Sequence, residues 1–148
     1  MQSKLILDRF LPYRLSVASN AVSARISNAY RRRFGLKITE WRLLAILAEQ
    51  ERATPASLGD ATRMDKIAIS RAAAALIERG LVCAEDNPAD GRSHYLSLTD
   101  DGRTLHAEIA PLALATEADL FNGFSTEEKR LLDTLLRRIE MVALNASG

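Results

Sequence analysis

Most of the side chains with chemistry to offer fall between Arg63 and Arg92 of the 148-residue chain. Arg63, Lys66 and Arg71 place three cations in a short stretch, with Ser70 beside Arg71 and the apolar Ile67 and Ala68 between them. These residue types suit the surface of double-stranded DNA. An arginine gives two parallel hydrogen bonds to a guanine edge or holds a phosphate, and small apolar groups touch thymine methyls. A serine hydroxyl donates to a phosphate or a base edge, while Lys66, at the head of the stretch, fits a phosphate. Arg63 and Thr62 are placed to reach the backbone.

Other chemistries find little support. No Gly-rich phosphate loop, Gly-x-Ser-x-Gly elbow or His-Glu-x-x-His motif occurs. The carboxylates fall at helix starts and on solvated faces. His94 and His106 are the two histidines, twelve positions apart, so they form no helical ligand pair, and Glu108 adds little. The single cysteine, Cys83, has no basic neighbour in sequence and reads as a buried, inert thiol. The expectation is therefore no enzyme, no metal and no cofactor.

The elements that must position these residues follow from capping and periodicity. A first helix runs from about Leu5 or Pro12 to Arg33, with Gly35 as its C-terminal cap. Thr39 is placed to cap a second, whose stripe is Trp41, Leu44, Ala45, Leu47 and Ala48. Thr54-Pro55 opens a short third helix ending near Thr62. Asp65 caps a fourth reaching Arg79, closed by Gly80. In it Ile69, Ala73, Leu76 and Ile77 share one face, leaving Lys66, Ile67, Ala68, Ser70, Arg71 and Ala74 on the other. Two short helices joined by about three residues form a helix-turn-helix.

After Gly80 the period changes. Leu81–Glu85 and the alternating His94–Leu98 read as strands around Asp86–Ser93, a segment dense in turn formers. A hairpin after a helix-turn-helix is a wing. Thr99 caps a fifth helix, and Ser125 with Glu128 forms a capping box opening the sixth. The predicted fold is thus mainly α, with six helices and a small β-hairpin.

Composition agrees with one globular domain, 47% of residues being apolar and 26% charged. Net charge is only +1, but residues 1–42 carry nine Lys/Arg against Asp8 and Glu40. The run Arg31–Arg33 reads equally as steering toward phosphates or as a solvated helix end. Apolar runs such as Leu43–Ala48 and Ala72–Ile77 are too short to span a membrane, and Met1–Asp8 lacks signal-peptide features. A cytoplasmic protein without membrane association is expected.

From Ile38 to Leu105 the sequence closely resembles the MarR (multiple antibiotic resistance regulator) family. The likeness rests on Ile38-Thr39-Glu40-Trp41-Arg42-Leu43-Leu44 and on Met64-Asp65-Lys66-Ile67-Ala68-Ile69-Ser70-Arg71 at the recognition helix. It continues through Leu76–Val82, the wing tip Asp90-Gly91-Arg92 and Leu96–Gly102. The order and spacing of these segments carry the signal, since no single one is specific.

The resemblance implies a homodimeric repressor on an inverted-repeat operator. Residues of about 36–100 would form the DNA-binding lobe, and those of about 1–35 and 101–148 the dimerisation helices. Exposed leucines near both ends of the chain agree with association. The resemblance further implies that Arg92 enters the minor groove, that Asp90 orients the wing, and that a small aromatic or phenolic effector weakens DNA binding. Trp41, Arg14, Arg25, Tyr13 and Tyr30 border the region where such an effector would sit, although Trp41 reads first as core. The alternative is a winged-helix module that binds another protein, or an antirepressor with no operator of its own.

Overall fold

A computed structural model describes residues 3–89 and 91–145. A short 3-10 turn, Leu7–Arg9, precedes α1 (Leu11–Phe34), α2 (Ile38–Glu49), α3 (Pro55–Thr62) and α4 (Lys66–Glu78). The hairpin β1 (Val82–Asp86) and β2 (His94–Leu98) follows, then α5 (Asp100–Leu120) and α6 (Thr126–Asn145). The expected six helices and one antiparallel hairpin are present, with Val82 opposite Leu98 and Asp86 opposite His94. Ala53 adds a one-residue third edge by exchanging hydrogen bonds of 2.8 and 2.9 Å with Leu96.

Local chemistry sets most boundaries. Thr54 accepts from the Ser57 amide at 3.1 Å while Ser57 Oγ accepts from the Thr54 amide, closing a reciprocal box at the start of α3. The Ser125–Glu128 pair does the same for α6, at 3.1 and 2.8 Å. Gly35 and Gly80 both sit at positive φ, 64° and 73°, where a side chain would be strained. After α4 the Gly80 amide reaches Ile77 O and the Leu81 amide reaches Leu76 O, each at 2.9 Å. That pair is a Schellman close.

Three sequence expectations need correction. Thr39 does not cap α2; Lys37 does, and its amide is satisfied by the Glu40 carboxylate at 3.2 Å. A carboxylate three residues on can do this from inside the first turn, so no hydroxyl is needed at the cap. The buried stripe of α2 is Leu43, Leu44 and Leu47, with Trp41, Ala45 and Ala48 only half-buried. On α4, Ala72 is buried in place of Ile77, which is 41% exposed. Ile69, Ala72, Ala73 and Leu76 form a narrower face than the sequence suggested, because helix geometry rotates Ile77 past its edge.

The chain divides into two compact units, one up to Ala110 and one from Pro111. In the first, Leu36, Leu43, Leu44, Leu47, Leu58, Ile69, Leu76 and Ile109 are fully buried, a core drawn from α2, α3, α4, α5 and the linker before α2, with the hairpin packed on α2, α3 and α4. The second holds the rest of α5 and all of α6, whose described residues are exposed. Among the described residues no helix is long and apolar enough to cross a membrane.

Candidate nucleic-acid interface

The helix that carries Lys66, Ser70 and Arg71 is fixed by its underside and its cap. Ile69, Ala72, Ala73 and Leu76 are buried, which turns the opposite side outward. Asp65 Oδ1 accepts from the Ala68 amide at 2.8 Å and so ends the turn after α3. Ala68 itself is half-buried, committed through its backbone to this cap. Asp65→Ala is expected to cost about 1 kcal/mol by loss of that bond. Urea unfolding at neutral pH measures it, and an unchanged midpoint would mean the cap contributes nothing.

On the outward face Lys66, Ile67, Ser70 and Arg71 are exposed, Ile67 at 64%. The side chains of Lys66, Ser70 and Arg71 have no hydrogen-bond or ion-pair partner among the described residues. A large apolar side chain left in water beside unpaired cations is a surface shaped for a partner. Arg63, at the turn, takes the left-handed conformation at φ 58°, with its amide bonded to Gly59 O at 2.8 Å. Thr62 is engaged within the turn. Its hydroxyl donates to Leu58 O at 2.6 Å and accepts from the Met64 amide, shaping the turn. Arg63, Lys66, Ile67, Ser70 and Arg71 line one broad open groove with His94 on β2.

The hairpin places Arg92 at its exposed tip. Asp90, the expected partner in orienting the wing, lies outside the described residues. Two contributors to the hairpin were not singled out from sequence. Asn87 is 8% exposed, and its Oδ1 accepts from the Ala89 amide at 3.0 Å, an Asx turn that starts the loop. Arg52 lies 4.2 Å over the Tyr95 ring, a cation–π contact across the sheet edge that no local pattern announces.

Of the remaining candidates, Tyr30, Trp41 and His106 pack ring against ring, while Tyr13, Arg14 and Arg25 are exposed. Tyr30 and Trp41 lie 5.3 Å apart, and the His106 ring stacks on Trp41 at 5.7 Å with 14° between planes. Burial pushes the Tyr30 phenol above its ordinary pKa. Arg14 pairs with Asp8 at 3.3 Å, and Tyr13 is exposed. Cys83 is half-buried, not buried as expected, with Sγ 3.2 Å from Ser97 Oγ. Among the described residues no three His, Cys, Asp or Glu side chains gather as a metal site would require.

Comparison with known proteins agrees with this geometry. The sequence model of the MarR family matches residues 34–93, which span α2 to the wing. The transcriptional regulator HosA of Escherichia coli O111:H- is 25% identical over 100 residues, 68% of this chain and 74% of its own. A MarR/EmrR family transcriptional regulator from Acinetobacter sp. ADP1 has the same fold at a TM-score of 0.88. It is 26% identical over 95% of this chain and 99% of that one. Sco3205 of Streptomyces coelicolor, a MarR family regulator whose structure is a complex with DNA, shares the fold at a TM-score of 0.84. It is 24% identical, over 95% of this chain and 90% of its own. A helix-turn-helix with an open outer face, a hairpin behind it and these likenesses together mark a winged helix-turn-helix fold similar to that of the MarR family, and they support a DNA-binding transcriptional regulator.

Proposed function

We propose that the protein is a homodimeric repressor that binds an inverted-repeat operator. The observation that carries this reading is the outer face of α4, where Lys66, Ser70 and Arg71 stand exposed and unpaired beside Ile67. In this reading α4 lies in the major groove, Arg71 and Ser70 read base edges, and Ile67 with Ala68 packs on thymine methyls. Lys66 and Arg63 hold phosphates. Arg92 enters the minor groove, where a narrow A·T-rich stretch draws a guanidinium, and Asp90 steadies the wing. Residues of about 36–100 form the DNA-binding lobe, flanked by dimerisation helices at both ends. Two recognition helices then sit roughly 34 Å apart, one helical turn.

Selection of bound duplexes from a random library, with wild type and Arg92→Ala at two salt concentrations, tests the reading. An inverted repeat should emerge with wild type. Arg92→Ala should weaken binding about tenfold or more, in line with the loss of one base-edge or groove contact. Affinity of both proteins should fall steeply with salt. If no sequence is enriched, the winged helix serves a protein partner, or the chain acts as an antirepressor, and operator binding is withdrawn. A small aromatic or phenolic acid is the proposed effector, and a concentration-dependent rise in melting temperature would reveal it.

A further inference from the structure

The end of the recognition helix is gripped from two sides by elements distant in sequence. On one side the Arg79 guanidinium donates to Phe34 O at 3.0 Å and Gly35 O at 3.4 Å, the last carbonyls of α1. Those carbonyls sit at the αL close of α1, in which the Gly35 amide bonds to Arg31 O at 3.1 Å. Arg79 thereby ties the C-terminus of α4 to that of α1, two negative dipole ends bridged by one cation. On the other side Thr99, the N-cap of α5, donates its hydroxyl to Gly80 O at 2.6 Å and its amide to Leu81 O at 3.1 Å. The same hydroxyl accepts from the Gly102 amide at 3.1 Å, so one side chain both starts α5 and holds the chain leaving α4. Gly102 completes the grip, because a Cβ there would overlap the Leu81 carbonyl.

We infer that Arg79-Gly80-Leu81 is a joint that fixes the direction of α4 against α1 and α5, with Arg79 as a positioning residue for operator spacing. The inference rests on the proposed dimer, in which α1 and α5 belong to the shared frame and α4 reads DNA. If α4 is locked to the frame at this joint, the two recognition helices of a dimer keep a fixed separation and mutual rotation. The protein then accepts one half-site spacing. Adding one base pair moves a half-site by about 3.4 Å and turns it by about 34°, more than a locked helix follows. Releasing Arg79 leaves α4 held on the Thr99 side alone and lets it swing.

The test is the distribution of half-site spacings in duplexes selected by wild type and by Arg79→Ala. Because Arg79 is exposed and packs into no core, the variant retains the fold, and its melting curve checks this. Wild type should favour one spacing about tenfold over its neighbours one base pair longer or shorter. Arg79→Ala should lower that preference to about threefold or less, with unchanged base preference inside each half-site. An unaltered spacing preference would overturn the joint. So would equal weakening at every spacing with a shallower salt dependence, the signature of an arginine that merely contacts phosphate. If wild type enriches no inverted repeat, the dimeric operator reading itself fails, an outcome that the variant's behaviour cannot mimic.

Discussion

Gly102→Ala is expected to destabilise the protein by about 3 kcal/mol, at the severe end of what one added methyl group does. Helix propensity argues the other way, since alanine is better than glycine inside a helix by about 1 kcal/mol. Packing decides the sign. A Cβ at Gly102 would overlap the backbone carbonyl of Leu81, and a carbonyl in a hydrogen-bonded corner has no rotamer into which to retreat. To make room, α5 must move away from Leu81, which breaks the bonds from Thr99 to Gly80 and Leu81 and loosens its contact with Leu81 and Leu98. Gly59, inside α3, supplies the control. A Cβ there would meet Met64 O at 3.6 Å, an ordinary contact, so Gly59→Ala should be neutral or stabilise by up to about 1 kcal/mol. Thermal unfolding of the two variants should show shifts of opposite sense, Gly102→Ala falling by roughly 10 °C. Equal small shifts would mean that α5 yields freely at its N-terminus and that the close approach is not structural.

The contrast between these glycines shows which parts of the fold were legible in the sequence. Thr54, Asp65, Thr99 and Ser125 announce helix starts because a cap and its amide lie within three residues of one another. Gly35 and Gly80 announce helix ends for the same local reason. Of the outward row Lys66, Ile67, Ala68, Ser70, Arg71 and Ala74, periodicity placed all but the half-buried Ala68 in the open, since the row needs only the hand and pitch of one helix. It misjudged Leu43 and Ile77, because how wide a stripe is buried depends on which neighbours close over its edges. The grips on the chain leaving α4 were not legible at all. Arg79 meets its carbonyls across 44 and 45 positions, and Gly102 is confined by Leu81, so no short-range pattern marks either. Thr62 was misleading for a related reason. A hydroxyl next to a recognition helix suggests a phosphate contact, but the α3–α4 turn uses it for the Leu58 carbonyl and the Met64 amide.

Leu135→Asp combined with Ile139→Asp is expected to convert the protein to a monomer and to lower its affinity for an inverted repeat at least about a hundredfold. Within α6 Leu131, Leu132, Leu135, Leu136, Ile139 and Val142 recur at helical spacing, and all are 38% exposed or more. An apolar stripe of that length is seldom left in water by a monomer, and in the proposed dimer it is covered by the second copy. On the polar side of α6 Arg137 bonds to Asp133 at 2.9 Å one turn away, while the apolar stripe is exposed among the described residues. Two carboxylates inserted there would be buried without counterions on association, a cost of several kcal/mol that the dimer would not survive. They cost the isolated helix far less, about 0.7 kcal/mol each at most, so helix content and the core around Leu43, Leu47 and Leu76 should persist. DNA binding then falls because each lobe must find its half-site alone, without the high effective concentration that linkage provides. Sedimentation velocity reports the first effect and titration of a one-half-site against a two-half-site duplex the second. Wild type should prefer the two-half-site duplex strongly, and the variant should bind both alike. If the variant still sediments as a dimer, the two copies meet elsewhere and the stripe on α6 has another occupant. If it is monomeric yet keeps full preference for the paired site, cooperation between lobes comes from the DNA and not from the protein frame.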